Sequence, residues 1–301
     1  MVNDDEDTLN YSRLNFSKLH IVLSLIKYRI SLAVTFTAVC GFLFFSGHFD
    51  LHLLYVAVGV FILSGGASAL NQYMERNYDA RMSRTMSRPI PAGKITALNA
   101  LIVSIIFIIS GLLVLLIFSG TTCFLLGLFN IAWYNFLYTN LKKVTPFAVV
   151  PGSLAGAVPV IIGWSAAGGY FLDPAIVFVT FFLFIWQIPH FWLILLKYSK
   201  EYEEAGFPSI KQNISPENLR FIIYTWMIAT SVISLMFPLI HIIKPVVQSL
   251  AILFLNLWFV VIFTRSIFKN RDEWNYRYLF FNMNLYMLLV MLVLGFYRIF
   301  V

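Results

Sequence analysis

Charged residues are scarce in this chain: only 12% of its 301 residues are Asp, Glu, Lys or Arg, against about 25% in soluble domains. Hydrophobic residues make up 60% of the sequence, and the mean hydropathy is +0.82. This balance excludes an ordinary soluble domain. It predicts a polytopic membrane protein whose polar residues are confined to short loops and to a functional cavity.

Cysteine is also rare, and so are basic residues at the start of the sequence. Cys40 and Cys123 each lie inside an apolar run, which is typical of small buried hydrophobic side chains and excludes a disulfide framework or a cysteine metal site. Residues 1–7 are acidic, unlike a basic signal peptide or an Arg-rich transit peptide. We therefore expect a bacterial cytoplasmic (inner) membrane rather than import into an organelle.

Apolar runs of about 20 residues or more are abundant, and each is long enough to cross a hydrocarbon core of about 30 Å as a helix. The runs cover residues 20–46, 51–72, 97–118, 121–140, 147–167, 174–197, 219–241, 245–268 and 277–299. We therefore expect a polar head over residues 1–19 and one domain over residues 20–301. The fold class is all-α: a polytopic membrane protein built as a nine-transmembrane-helix bundle.

The basic residues are divided unevenly between the two ends of these spans. All 21 lysines and arginines except Lys244 and Arg298 lie around the start of the first span or in the regions after the second, fourth, sixth and eighth spans. By the positive-inside rule the N-terminus is cytoplasmic, and nine spans then place the C-terminus outside. The same bias accounts for the net charge of +7 without a nucleic-acid partner.

A polar stretch follows the second span. Asn71, Glu75 and Asp79 recur every four residues, so at about 100° per residue they share one stripe of a helix. Such oxygen donors suit Mg²⁺, which is usually bound through one or two carboxylates and substrate phosphates. Arg84 and Arg88 follow, and guanidinium groups suit phosphate oxygens. A solvated helix end with ordinary charge pairs is the alternative, but carboxylates at a membrane helix are costly and usually functional.

The sixth span ends in a second polar group. Pro189 predicts a kink that frees backbone carbonyls. Gln187 and His190 are polar at membrane depth, next to Trp186. His190 is either a buried histidine whose hydrogen bonds are made within the protein or a histidine that contacts a ligand.

Charged residues after the sixth and fourth spans extend the pattern. Lys197, Lys200 and Glu201 lie about two to three turns beyond His190 and could complete a polyphosphate site with the carboxylates of the second span. Lys142, after the fourth span, is either a topology charge or a diphosphate contact.

These groups next to an apolar interior predict an amphiphilic substrate with a polyphosphate head and a hydrocarbon tail. Ionisation of an allylic diphosphate fits, because cations stabilise the departing diphosphate and aromatic rings, 17% of the residues, stabilise a carbocation. Composition alone leaves a transporter of phosphorylated solutes open.

Five motifs favour the enzyme. They are Asn71-x3-Glu75-x3-Asp79-x2-Met82-x-Arg84-Thr85-x2-Arg88-Pro89, Tyr138-Thr139 with Lys142, Gly152-x3-Gly156-Ala157-x-Pro159-x3-Gly163-Trp164, Trp186-Gln187-x-Pro189-His190-Phe191 and Glu201-Tyr202-x2-Ala205-Gly206-x-Pro208. Together they cover about residues 20–220. On these motifs the chain resembles the UbiA-type intramembrane prenyltransferases, and among them the members that farnesylate haem.

The resemblance implies a nine-helix bundle of the UbiA prenyltransferase type with its site near the cytoplasmic face. It implies Mg²⁺-dependent transfer of a farnesyl group from farnesyl diphosphate to a vinyl group of haem B, with water addition, giving haem O and diphosphate. It also implies membrane lipid as the surroundings and a haem A synthase or haem-copper oxidase assembly as downstream partners.

The resemblance also implies roles for individual residues. The implied catalytic and metal-binding set is Asn71, Glu75, Asp79 and Glu201; the implied diphosphate-binding set is Arg84, Arg88, Lys142 and Lys200; and the haem-contacting candidates are His190, Gln187 and Trp186. The sequence departs from the family pattern at Tyr28, where proline is usual, at Ala148 and Val160, and at Glu201, which takes an aspartate position. None of these departures removes a carboxylate from the metal-binding set.

Two alternatives remain open. The nearer one is a related prenyltransferase with a quinone-precursor aromatic acceptor, against which the segment 186–191 and the Arg-Thr-x2-Arg-Pro sequence argue. The other is a transporter of phosphorylated amphiphiles, which would produce flux without a covalent product.

Overall fold

The computed structural model describes residues 18–208, 214–243, 245–267, 275–296 and 298. Most of the predicted polar head, residues 1–17, lies outside the described residues, as do Lys211, Lys244, Lys269 and Arg271 of the basic residues counted above. Within the described ranges all regular secondary structure is helical, which confirms the all-α fold class.

From Tyr28 onward, the described ranges contain nine long helices in succession. They are α1 (Tyr28–Ser46), α2 (Leu51–Asp79), α3 (Ala97–Ser119), α4 (beginning as Thr121–Ile131), α5 (Val149–Ala166), α6 (Pro174–Lys197), α7 (Pro216–Leu239), α8 (Val246–Ile267) and α9 (Tyr276–Phe296). In the described part of the chain, eight helices are by themselves long and apolar enough to cross a membrane. The exception is α4, which reaches that length only through a π-helical stretch, Ala132–Tyr138, and a final turn, Thr139–Leu141.

The first predicted span is divided in the structure. Residues 18–25 form a helix of their own, and α1 begins at Tyr28. Lys27 between them has φ of 47°, in the left-handed region that non-glycine residues rarely adopt. This backbone conformation interrupts the helix immediately before α1.

The second helix is longer than its apolar run, because it continues to Asp79 rather than ending near residue 72. It begins at Asp50, whose side chain accepts a hydrogen bond from the Leu53 amide at 3.0 Å and so caps the helix. Its 29 residues extend for about 43 Å, more than the hydrocarbon core of about 30 Å. The last turns of α2, with the polar stripe, therefore reach one boundary of the membrane.

Close helix contacts hold α1 against α5. A Cβ atom added at Gly163 would overlap the carbonyl oxygen of Ala38, and one added at Gly41 would overlap the carbonyl oxygen of Val160. Glycine on both helices thus lets the two backbones touch, as small residues commonly do between membrane helices.

This contact predicts a stability effect. We expect Gly163→Ala to destabilise the bundle by about 1–3 kcal/mol, because the added methyl group meets backbone rather than a movable side chain. Thermal unfolding in detergent, followed by tryptophan fluorescence, measures the change. Gly295→Ala is the matched control, since a Cβ there would lie 3.3 Å from Cys40 Cα and needs only a small adjustment. Equal melting temperatures for the two variants would contradict this account.

The last helix lies between α1 and α6. Gly295 on α9 approaches Cys40 on α1, and the rings of Phe296 and Phe49 are 6.3 Å apart at the same end. On its other side, the carbonyl of Met283 accepts a hydrogen bond from Trp186 Nε1 on α6 at 3.0 Å. Helices α1, α9 and α6 therefore lie side by side in the bundle, with α9 in the middle.

Candidate functional site

A cavity of about 550 Å³ lies inside the bundle where the C-terminal ends of α2 and α6 meet. Helices α1, α2, α4, α5, α6 and α9 contribute its walls. Charged side chains are gathered at one end, and the remainder is lined mainly by apolar and aromatic groups. The cavity thus has the two-part character expected for an amphiphilic ligand.

The polar stripe of α2 points into the bundle. Asn71, Glu75 and Asp79 are only 2%, 5% and 3% exposed, respectively. Glu75 and Asp79 line the cavity. Glu75 forms an ion pair with Lys142, and both carboxylate oxygens of Asp79 lie 2.7 Å from a terminal nitrogen of Arg88. The structure therefore brings two predicted acidic residues and two predicted basic residues into one cluster.

Asn71 supports this cluster from behind. Its side-chain oxygen accepts a hydrogen bond from Lys27 Nζ at 3.0 Å, and its amide donates to Thr139 Oγ1 at 3.2 Å. Lys27 itself lines the cavity. The charge bias accounts for Lys27 only as one of the basic residues near the first span; the sequence signal for a role in the site is its place in the segment Lys27-Tyr28-Arg29-Ile30, which resembles the family pattern except at Tyr28.

The electrostatics of the two lysines differ. The pKa of Lys27 is lowered to about 7, first by burial and next by the neighbouring Arg88 guanidinium, while Glu75 acts in the opposite direction. Burial also acts to lower the pKa of Lys142, but its ion pair with Glu75 outweighs this and holds the pKa above the ordinary value. Lys142 therefore stays protonated when no substrate is bound.

The segments after α2 and α6 are joined directly. Glu201, on a short helix spanning Ser199–Glu204, accepts a hydrogen bond from the Arg84 backbone amide at 2.9 Å. The Arg84 guanidinium lies 4.8 Å from the Tyr198 ring centre and donates to the Tyr202 hydroxyl at 3.4 Å. The polar segments that follow α2 and α6 thus meet, although Glu201 lies behind Arg84 rather than in the cavity lining.

Lys200 is placed apart from the others. It is exposed and does not line the cavity. Among the predicted diphosphate-binding residues, Arg84, Arg88 and Lys142 do line it.

The π-helical stretch of α4 supplies aromatic rings next to the charged end. Tyr134 and Tyr138 both line the cavity, with ring centres 5.8 Å apart, and the Tyr138 ring stacks at 6.1 Å on Phe191 of α6. A π-helical turn is common at functional sites, where it changes the direction in which side chains point. No feature of residues 132–138 in the sequence predicts this turn.

The predicted haem-contacting residues lie deeper, on α6. Trp186, Gln187 and His190 all line the cavity. The His190 ring lies 4.9 Å from the Trp186 ring and 4.8 Å from that of Phe280. Its Nδ1 is buried and has no hydrogen-bond partner within the described residues. A buried polar atom of this kind usually has a partner, so His190 is available to a ligand.

The donor set also indicates which metal could bind. Within the described ranges no group of three or more His, Cys, Asp or Glu side chains could hold an ion by itself. Two cavity carboxylates with phosphate oxygens suit Mg²⁺, whereas zinc sites need more protein ligands. The residues therefore fit a magnesium ion that arrives together with a phosphate-bearing ligand.

Comparisons with known sequences all match the same protein family. The model of the UbiA prenyltransferase family matches residues 33–287. The chain is 36% identical over 217 residues to a protoheme IX farnesyltransferase of Nitratidesulfovibrio vulgaris, covering 72% of this chain and 76% of the relative. It is 35% identical over 223 residues to the protoheme IX farnesyltransferase of Geobacter sulfurreducens, covering 74% and 82%.

Solved structures share the fold. A UbiA homolog from Archaeoglobus fulgidus bound to GPP and Mg²⁺ superposes with a TM-score of 0.72 at 16% identity, covering 93% of this chain and 100% of that one. A digeranylgeranylglyceryl phosphate synthase gives a TM-score of 0.76 at 18% identity, covering 94% and 99%. At these identities the likeness establishes the architecture alone.

Proposed function

The chain belongs to the UbiA prenyltransferase family, and from this premise we propose that it transfers a farnesyl group from farnesyl diphosphate to a vinyl group of haem B. Water addition then gives haem O, and diphosphate is released. The observation that carries this function is the similarity, over most of the chain, to relatives named protoheme IX farnesyltransferase. The cavity fits this reaction, because its charged end suits a diphosphate and its apolar part suits a hydrocarbon chain.

The charged end is the place for the diphosphate. Glu75 and Asp79 would hold Mg²⁺, which stabilises the negative charge that develops on the departing diphosphate. Arg88 and Lys142 exchange their carboxylate partners for phosphate oxygens, and Arg84 adds a third cation from the neighbouring segment.

The remaining predicted members of the two sets take supporting positions. We place Asn71 and Glu201 behind the two cavity carboxylates, because neither lines the cavity and each already accepts a hydrogen bond, from Lys27 and from the Arg84 amide respectively. Exposed Lys200 contributes positive potential near the entrance, which attracts an anionic substrate.

The aromatic part of the cavity is the place for the reacting carbons. Ionisation of an allylic diphosphate leaves a carbocation, which the faces of Tyr138 and Phe191 stabilise. The apolar walls limit premature capture of that cation by water. His190, Gln187 and Trp186 form the surface against which the haem lies.

The surroundings of the protein follow from its helices. It is a multi-pass membrane protein, and we place it in a bacterial cytoplasmic (inner) membrane with the N-terminus in the cytoplasm, the C-terminus outside and lipid around the bundle. The charged end of the cavity then faces the cytoplasm, where farnesyl diphosphate is available. A haem A synthase or the assembly of a haem-copper oxidase would consume the product; no nucleic acid takes part.

A product assay tests the reaction. Membranes containing the full chain are incubated with haem B, farnesyl diphosphate and Mg²⁺, and haem O is sought by mass spectrometry. We expect haem O to form only when both substrates are present. Prenylation of a benzoate or naphthoate acceptor alone would indicate the quinone-precursor alternative. Movement of a phosphorylated amphiphile across vesicles without any covalent product would indicate the transporter.

A further inference from the structure

One cavity cation has no place in the diphosphate site described above. Arg29, the second residue of α1, lines the cavity but is also exposed. Its Nε donates a hydrogen bond to the Tyr28 hydroxyl at 3.0 Å. Within the described residues no carboxylate pairs with its terminal nitrogens, which are the ones that form the two-pronged grip on an acidic group.

The charges of the cavity indicate what kind of group would bind there. Even when Lys27 is left out, four basic side chains and two carboxylates line it, which leaves an excess of two positive charges. A magnesium ion and the diphosphate it accompanies offset most of each other's charge, so together they leave much of this excess uncompensated. Haem B carries propionate carboxylates, and these would balance the remainder.

The position of Arg29 matches the acceptor surface rather than the metal cluster. Helices α1 and α9 cross in the same direction and are nearly equal in length, with 19 and 21 residues. They meet at their far ends, where a Cβ added at Gly47, just after α1, would lie 2.9 Å from Arg298 Cβ and the rings of Phe49 and Phe296 are 6.3 Å apart. At about 1.5 Å per residue, Arg29 and Phe280 therefore lie within about one turn of the same depth.

Phe280 belongs to the wall that contains His190, because the two rings lie 4.8 Å apart. A flat ligand that packs against His190 and Phe280 would therefore have one edge at the depth of Arg29. That edge reaches the protein surface, since Arg29 and the neighbouring Ile30 line the cavity and are exposed. Charged groups on it would keep contact with water at the membrane boundary and avoid the cost of full burial.

Resting on the function proposed above, we propose that Arg29 binds a propionate of the haem acceptor and so orients the macrocycle. The propionates and the vinyl groups occupy different edges of haem B. Holding the propionate edge at α1 turns a vinyl edge toward the interior, where the allylic carbocation forms. Arg29 is thus a determinant of acceptor specificity, separate from the cations that hold the diphosphate.

Haem-binding titrations of the purified full chain in detergent test this role through the Soret absorption. We expect Arg29→Gln to weaken binding of haem B about tenfold, as loss of a charge-assisted hydrogen bond would. Binding of haem B dimethyl ester, which lacks the charges, should change less than about twofold. Arg29→Lys should recover part of the affinity for haem B. Arg265→Gln, on an exposed site of α8 away from the cavity, is the matched control.

The outcomes separate this inference from the proposed reaction. If the unaltered protein forms haem O but Arg29→Gln binds haem B and its ester with unchanged affinity, Arg29 is not the propionate contact. An increase in KM for farnesyl diphosphate with unchanged haem affinity would assign Arg29 to the diphosphate instead. If the unaltered protein forms no haem O, the proposed reaction fails, whatever Arg29 does. Retained ester binding shows that the variant is folded.

Discussion

Asp79→Asn is expected to slow prenyl transfer at least about a hundredfold, which corresponds to about 2.7 kcal/mol of activation free energy. Asp79 is buried, lines the cavity and contacts Arg88 with both carboxylate oxygens. Asparagine keeps the size of the side chain but removes the negative charge. The site then loses one of its two cavity carboxylates for Mg²⁺, and Arg88 loses the partner that holds it in position.

The measurement is the rate of haem O formation with saturating haem B and varied farnesyl diphosphate. Asp50→Asn is a matched control, because Asp50 caps the opposite end of the same helix and asparagine caps a helix as well as aspartate does. Full activity is expected for that control. Turnover of Asp79→Asn within a few-fold of the unaltered protein would defeat the assignment of Asp79 to the metal site, and a transporter would be equally indifferent to it.

Removal of divalent metal ions is expected to lower turnover at least about a hundredfold, with recovery on addition of Mg²⁺. Glu75 and Asp79 are neutralised by Lys142 and Arg88 while the site is empty of substrate. When these two cations turn to the diphosphate, the carboxylates are left facing phosphate oxygens of the same charge. A divalent cation between them removes that repulsion.

The same exchange predicts how the metal binds. Mg²⁺ should bind weakly to the free protein, since Lys142 and Arg88 occupy the carboxylates, and at least about tenfold more tightly with a non-reactive farnesyl diphosphate analogue present. Calorimetric titration of Mg²⁺ with and without the analogue measures this coupling independently of turnover. Full activity in excess chelator would refute the metal requirement, and equal affinities in the two titrations would refute the exchange of partners.

The sequence reveals the polar stripe of α2 because helical periodicity is a local property. Asn71, Glu75 and Asp79 recur at a spacing that must place them on one face, and all three are buried together. The span pattern is equally local, since about 20 apolar residues in succession can be satisfied only by crossing the membrane. Both features were therefore predictable before any contact between helices was known.

Lys27 and the bonding partner of Glu201 show where such reasoning stops. Lys27 joins the site through a hydrogen bond across 44 positions of the chain, and Glu201 through one across 117. Neither partner is identifiable from spacing. The left-handed backbone at Lys27 and the π-helical stretch of α4 depend on the packing around them, so periodicity predicts an uninterrupted helix in both places.

By itself the sequence determined that this protein is a bundle of membrane helices with carboxylates and cations gathered at one end, because helix period, span length and charge bias act over a few turns. Which of these charges share the cavity depends on how the helices pack against one another. The fold pairs Glu75 with Lys142 and Asp79 with Arg88, sets Asn71 and Glu201 behind them, and leaves Arg29 at the exposed rim of the cavity. These pairings depend on the packing of α1, α2, α4, α6 and α9. Two charges form an ion pair only within a few ångströms, and the packing of the helices sets those distances.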